Sequence, residues 1–301
     1  MKRWTVFEAG SRAGLSARMF FEDYKRKIDN DDVLYMVDID NEVIEALYLD
    51  APKDVISTSP FCKCVCIGGN DFVVFPADEL TRQKGEDVAV HKITRSWFND
   101  VVPSYYSKYE VNKQLSEVGV RIPATFYEQD VFIKPNRLSA GSRGLMNFDE
   151  VCVQKRLQIA HEYVVDATVA QDGTVLGIVA RETKLRAGYD KLIRFVPSDH
   201  PATLFALDVI KKCPTAMFRG VCHLQICETE EKGNPFYYIE GSKRISGTSL
   251  VNIAVGYNPF VLLSTGEPMA KPEEHGGFDG GWHMYEEMII RVNSMIHDKK
   301  C

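Results

Sequence analysis

Val131–Leu145 reads VFIKPNRLSAGSRGL. Its first residues, Val131-Phe132-Ile133, have the apolar, β-prone character of a strand, and the strand ends on Lys134-Pro135. A lysine at the end of an apolar strand needs an explanation, because burying an ammonium costs several kcal/mol unless it meets an anion. Five residues on comes Ser139-Ala140-Gly141-Ser142-Arg143-Gly144. A Gly/Ser-rich turn lets backbone N–H groups come close to phosphate oxygens and cradle them. A point charge on a strand end and a closing glycine loop are what a triphosphate site needs. The other reading of the same residues is an ordinary hairpin turn with a snorkelling lysine.

A second constellation lies further along. Gln225 sits in the apolar strand His223-Leu224-Gln225-Ile226, and Glu240 ends the strand Tyr237-Tyr238-Ile239. The intervening Glu230–Pro235 is turn-like, so the two strands are expected to form a hairpin with Gln225 and Glu240 as cross-strand neighbours. Magnesium takes hard oxygen donors, and one or two carboxylates with carbonyl oxygens and phosphates supply them. Ser242 follows, and Arg244 beyond it could neutralise a phosphate or an acyl-phosphate. The alternative is a polar strand end with a surface ion pair. A third candidate is Glu162, in His161-Glu162-Tyr163-Val164-Val165-Asp166. It reads equally as a ribose or active-site contact and as a solvated loop charge.

Working outward, residues 1–100 alternate strand and helix. Trp4–Glu8 reads as a strand, and Leu15, Met19, Phe20 and Tyr24 share a helical face. Val33–Val37 is a buried-strand pattern; a helix over Asn41–Asp50 and strands at Val55-Ile56 and Phe72–Phe75 follow. That alternation predicts a parallel sheet with covering helices. Pro103-Ser104 marks a boundary. Lys108–Val118 reads as a helix closed by Gly119 and Pro123. Beyond Ala124 the pattern is antiparallel α+β: strands at Val131–Lys134, Val151–Gln154, Tyr163–Ala170, Val175–Ala180, His223–Cys227 and Phe236–Glu240, a helix near Thr203–Lys212, a loop at Glu273–Gly281 and a last helix at Met284–His297.

Composition narrows the class. A hydrophobic share of 45% and a charged share of 26% are those of a globular protein. The net charge of -6 lacks the basic footprint that nucleic acid or an anionic membrane surface demands. No apolar run approaches the about 18 residues of a membrane helix, and the N-terminus MKRWTVFEAG has no signal-peptide pattern, so the expected location is cytoplasmic. Cys62, Cys64 and Cys66 alternate on one strand face. Zinc pairs usually have about two to four residues between the ligands, and here only one intervenes, so a buried strand face explains them better than a metal. All eight cysteines are read as reduced.

These pieces resemble, in order and spacing, the ATP-grasp superfamily, in particular the ATP-binding domain of the carbamoyl-phosphate synthetase large chain and free-standing carboxylate–amine ligases similar to it. Ser107-Lys108-Tyr109, Leu115 and Gly119–Pro123 look like the family's first basic helix; Ile133-Lys134-Pro135 with Gly141–Gly144 looks like its second basic residue and phosphate-covering loop. Val153-Gln154-Lys155-Arg156-Leu157 with His161-Glu162-Tyr163 looks like the adenine-side strand, linker and glutamate. Gly220, Gln225-Ile226 and Tyr238–Gly247 look like the metal-binding hairpin. The resemblance spans about residues 100 to 265, and more weakly a Rossmann-like domain before it.

The fold implied is α/β and α+β: a Rossmann-like domain over 1–100 followed by an ATP-grasp fold over 101–301, with a lid-like lobe at about 124–170 and a catalytic lobe at about 171–301. The activity implied is an ADP-forming ligase that joins a carboxylate to an amine, or a thiol, through an acyl-phosphate. Lys108, Lys134, Ser139, Gly141, Ser142, Gly144, Gln154, Lys155, Leu157 and Glu162 would bind ATP. Gln225, Glu240 and Ser242 would hold one or two Mg2+ ions, with Mn2+ as a substitute. Arg244 and Lys134 would act in catalysis. Arg181, Arg186 and Arg194 fall where substrate carboxylates are often bound, although solvated arginines would look the same. Partners would be the small-molecule carboxylate and amine, with a homodimer admitted and neither nucleic acid nor membrane. Two departures matter: Ser242 stands where the family usually has Asn, and Ser107 where it has Asp. Ser242 admits a weakened ATP-binding pseudo-ligase. A dinucleotide oxidoreductase, from the Ala9–Gly14 turn and Asp38, is the remaining alternative, but the turn reads G-x-x-x-G and not G-x-G-x-x-G.

Overall fold

The structure, a computed structural model, describes residues 3–7, 12–28, 32–37, 72–73, 108–123, 131–135, 151–186, 189–213, 218–242 and 245–297. The helix expected over Asn41–Asp50, the strand at Val55-Ile56 and the Cys62/Cys64/Cys66 face lie outside these residues.

The N-terminal part is a three-stranded parallel sheet in the order β2-β1-β3, from β1 (Arg3–Phe7), β2 (Val33–Val37) and β3 (Phe72–Val73). Helix α1 (Arg12–Lys27) connects β1 to β2. The parallel pairing follows from that crossover, since parallel strands cannot be joined by a tight turn. Trp4 is wholly buried and donates from Nε1 to Asp32 (3.3 Å), which also accepts from the Tyr24 hydroxyl (2.5 Å).

Helix α2 (Lys108–Glu117) ends as its glycine predicts. Gly119 takes φ 78°, its N–H bonds the Ser116 carbonyl, and Val120 N–H reaches back to Leu115. This is a Schellman closure, which satisfies the last carbonyls of the helix. Strands β4 (Val131–Pro135) and β5 (Val151–Lys155) form a two-stranded antiparallel ribbon.

The largest element is a six-stranded sheet in the order β10-β9-β6-β7-β8-β11. Its strands are β6 (Ile159–Val169), β7 (Val175–Arg186), β8 (Tyr189–Phe195), β9 (Gly220–Thr229), β10 (Phe236–Ser242) and β11 (His283–Met284). The ladders between these strands are antiparallel. The lid-like lobe expected at about 124–170 would group β6 with β4 and β5. Its ladder hydrogen bonds instead go to β7 and β9, so β6 is the middle of the large sheet.

Alternation along these strands produces two faces. One turns Val165, Ala167, Ala180, Leu224, Ile226 and Tyr238 toward α2 and α3 (Pro201–Lys212). The other turns Val179, Ile193, Phe195 and Val221 toward a 3-10 segment at Ser249–Val255, α4 (Pro259–Thr265), α5 (Tyr285–His297), α1 and Trp4. This second core joins the N-terminal sheet to the large one. Asn258 fastens the joint: its oxygen caps the start of α4 at Phe260 and Val261, and its amide donates to Asp23 (2.9 Å) and to the Phe20 carbonyl (2.8 Å). Strands β8 and β11, α4 and the Ser249–Val255 segment were not anticipated from the sequence.

Candidate functional site

The β9–β10 hairpin brings two of the candidate metal ligands together. Glu240 pairs directly with Gln225, and Ser242 with His223. The ladder slips between Tyr238 and Glu240, so Ile239 is an extra residue, a β-bulge. Tyr238, opposite Ile226, belongs to the α3-side core. In a regular ladder Glu240 would oppose Leu224 and face that core too. The bulge puts Glu240 on the other face, beside Gln225. Gln225 is the one exposed residue between Gly220 and Cys227, and Glu240 is half-buried. One carboxylate and one amide oxygen, both within reach of solvent, suit a hard divalent cation that keeps several waters.

The same face carries Glu162, which stands opposite Cys227 of β9 and Thr183 of β7. Burial, and after it the Glu162 charge, pushes the Cys227 thiol up to about 12, which keeps it protonated and inert. Cys213, Cys222 and Cys227 are buried thiols.

Beneath this surface lies a polar cluster that sequence reasoning missed. Asp166 accepts from Arg181 Nη2 (2.8 Å), Ser249 Oγ (2.8 Å) and Asn252 Nδ2 (2.9 Å). His223 Nδ1 is 3.8 Å from Oδ1, the oxygen that accepts from Ser249, and Arg181 also donates to the Thr248 carbonyl. Arg181 is 0% exposed and Asp166 2%. Arg181 therefore anchors the 3-10 segment to the sheet and is not available to a diffusing substrate. The signal in the sequence was Asp166 itself, an acid inside the apolar run Val164-Val165-Asp166-Ala167. A charge there must be paired.

Arg194 lies elsewhere. It pairs with Glu182 on the α3-side face, opposite in direction to Gln225 and Glu240, so the structure does not bring it to this site. Gln154 is buried, with Nε2 3.5 Å from the Pro123 carbonyl. Lys155 and Arg156 are exposed and Leu157 half-buried in the connection from β5 to β6. Lys108 opens α2, and Lys134 stands in β4 opposite Cys152. Their side chains, with those of Arg186 and Ser242, lie outside the described residues, as do Ser139, Gly141, Ser142, Gly144 and Arg244 entirely. Among the described residues no His/Cys/Asp/Glu cluster could hold a metal by itself, so a cation here would lean on the Gln225 amide and on non-protein oxygens. No helix among them is long and apolar enough to cross a membrane.

No protein-family model and no curated protein matches this sequence. Solved structures do. The carboxyaminoimidazole ribonucleotide synthase of Aspergillus clavatus, complexed with ATP, matches with a TM-score of 0.60 at 14% identity, over 89% of this chain and 78% of that one. An ATP-grasp superfamily protein from Archaeoglobus fulgidus matches with 0.55 at 13%, over 89% of each chain. The L-amino acid ligase of Bacillus licheniformis matches with 0.51 at 13%, over 92% of this chain and 77% of that one. The chain has the ATP-grasp fold.

Proposed function

We propose that the chain is a Mg-ATP-dependent, ADP-forming ligase that couples a small carboxylate to an amine or thiol through an acyl-phosphate. The observation that carries this reading is the bulge at Ile239, which aims Glu240 alongside Gln225 on an accessible face. Proteins of the same fold that bind ATP or ligate amino acids support it. In this reading Gln225 and Glu240, with Ser242, would hold the cation, which would offset phosphate charge. Lys108 and Lys134 neutralise phosphate charge, and the Ser139–Gly144 loop closes over it. Gln154, Lys155 and Leu157 flank the base and Glu162 meets the ribose. Arg244 stabilises the acyl-phosphate. Arg186 remains a candidate for the substrate carboxylate.

The test has two arms. Mg-ATP should raise the melting temperature where NADH or NADPH does not. ADP release should then appear with some member of an amino-acid and carboxylic-acid panel, and vanish in Lys134→Ala and Glu240→Ala. Nucleotide binding without turnover over the whole panel would favour the pseudo-ligase reading that Ser242 admits. Absence of nucleotide binding would overturn both.

A further inference from the structure

Successive residues of β6 point to opposite faces, so His161 lies back to back with Glu162. The face that His161 shares is built differently from the candidate site. His161 Nδ1 is 2.7 Å from Glu182 Oε1, and the other carboxylate oxygen of Glu182 pairs with Arg194 Nη2. The Arg194 guanidinium lies 5.0 Å from the centre of the Trp282 ring, with the Lys184 ammonium at 4.4 Å from the same ring. Glu182 is only 2% exposed, whereas His161 is 47% exposed. A buried carboxylate demands partners. It has recruited one from β8 and one from the first turn-side residues of β6.

This demand falls where the strand is least determined. The β6–β9 ladder is irregular between Ile159 and His161, with Ala160 as the extra residue. Were the extra residue Glu162 in place of Ala160, His161 would stand opposite Cys227 on the candidate nucleotide face and Glu162 would leave the ladder. Backbone pairing alone distinguishes such registers weakly at a strand end. The Glu182 carboxylate distinguishes them strongly, because only the observed register gives it the imidazole.

We propose that Trp282, Arg194, Glu182 and His161 form a positioning clamp on the far face of the sheet, which fixes the register in which Glu162 is presented to the ATP ribose. This rests on the ligase reading for the identity of the nucleotide, and on the geometry above for the clamp. His161 is a positioning residue: it touches neither substrate nor nucleotide.

The experiment is a double-mutant cycle read by calorimetric binding of a non-hydrolysable Mg-ATP analogue to the full chain. His161→Ala in the wild-type background should weaken binding roughly tenfold, within the range of couplings between neighbouring residues. In a Glu162→Gln background the same substitution should have little further effect. His161→Gln, which keeps a donor for Glu182, should restore most of the affinity. Wild-type affinity in His161→Ala overturns the clamp, as does an equal loss in both backgrounds, which is the result a merely structural role produces. Absence of analogue binding by the wild-type chain overturns the ligase reading as well, so the two failures are distinguishable.

Discussion

Glu240 stands opposite Gln225 because Ile239 is an extra residue in β10. The consequence is specific. Glu240→Gln preserves the bulge and the volume but removes the charge, so it should leave the melting temperature close to wild type while lowering ATP turnover by at least about a hundredfold. Deleting Ile239 should do less: it removes the bulge but leaves Glu240 as the ladder partner of Gln225, so turnover should fall far less than in Glu240→Gln. Measured Mg2+ affinity that is unchanged in Glu240→Gln would remove this pair from the metal site.

Gly241 lies between Glu240 and Ser242, and its role is steric. A Cβ there would come within 2.8 Å of the Tyr238 hydroxyl oxygen and 2.9 Å of the Phe218 ring. Both rings belong to the α3-side core, so neither can retreat freely. Gly241→Ala should destabilise the protein by about 1–3 kcal/mol, the usual range for overpacking, and weaken Mg2+ binding as the hairpin shifts. A urea midpoint equal to wild type would show that the rings do give way.

Much of this was legible in the sequence, for identifiable reasons. Strands β4, β5 and β9 and helix α2 carry their own signals: apolar runs bounded by turns, and Gly119 at the helix end. The approach of Gln225 to Glu240 follows from the hairpin. Its register does not, because a bulge leaves no mark in composition, and Ile239 resembles any strand residue. Tyr189–Phe195 hid because its Lys191 and Arg194 break the apolar pattern. Ser249–Val255 hid for the opposite reason: each of its residues is buried, so no periodicity survives. Arg181 and Arg194 looked alike as surface charges, and only pairing partners separate them. Arg181 pairs with Asp166 of the adjacent strand on one buried face, while Arg194 serves Glu182 on the other.

That distinction is measurable. Arg181→Met keeps the bulk but leaves the buried Asp166 carboxylate with two neutral donors, Ser249 and Asn252, in place of its guanidinium partner. Losing one partner of a buried pair usually costs about 3–5 kcal/mol. The double variant Arg181→Met/Asp166→Leu should recover part of that loss, since it also removes the unpaired charge. Equal urea midpoints for Arg181→Met and wild type would contradict the buried pair.

The stability of the α3 end should depend on pH through His200. This residue caps α3 by accepting from Ala202 N–H at Nδ1 (3.2 Å), which requires a neutral ring protonated at Nε2. Burial, only partly opposed by the Glu228 charge, lowers its pKa below the ordinary 6.5. A base with a depressed folded-state pKa takes up its proton more readily when unfolded, so its stabilising contribution is complete above pH 6.5 and is lost as the pH falls through the folded value. Acidification also breaks the cap, whose removal is worth about 1 kcal/mol. Wild type should therefore lose more stability between neutral and mildly acid pH than His200→Asn, which caps without titrating. Parallel melting curves for the two proteins across that window would mean that His200 stays neutral, or that its cap contributes nothing.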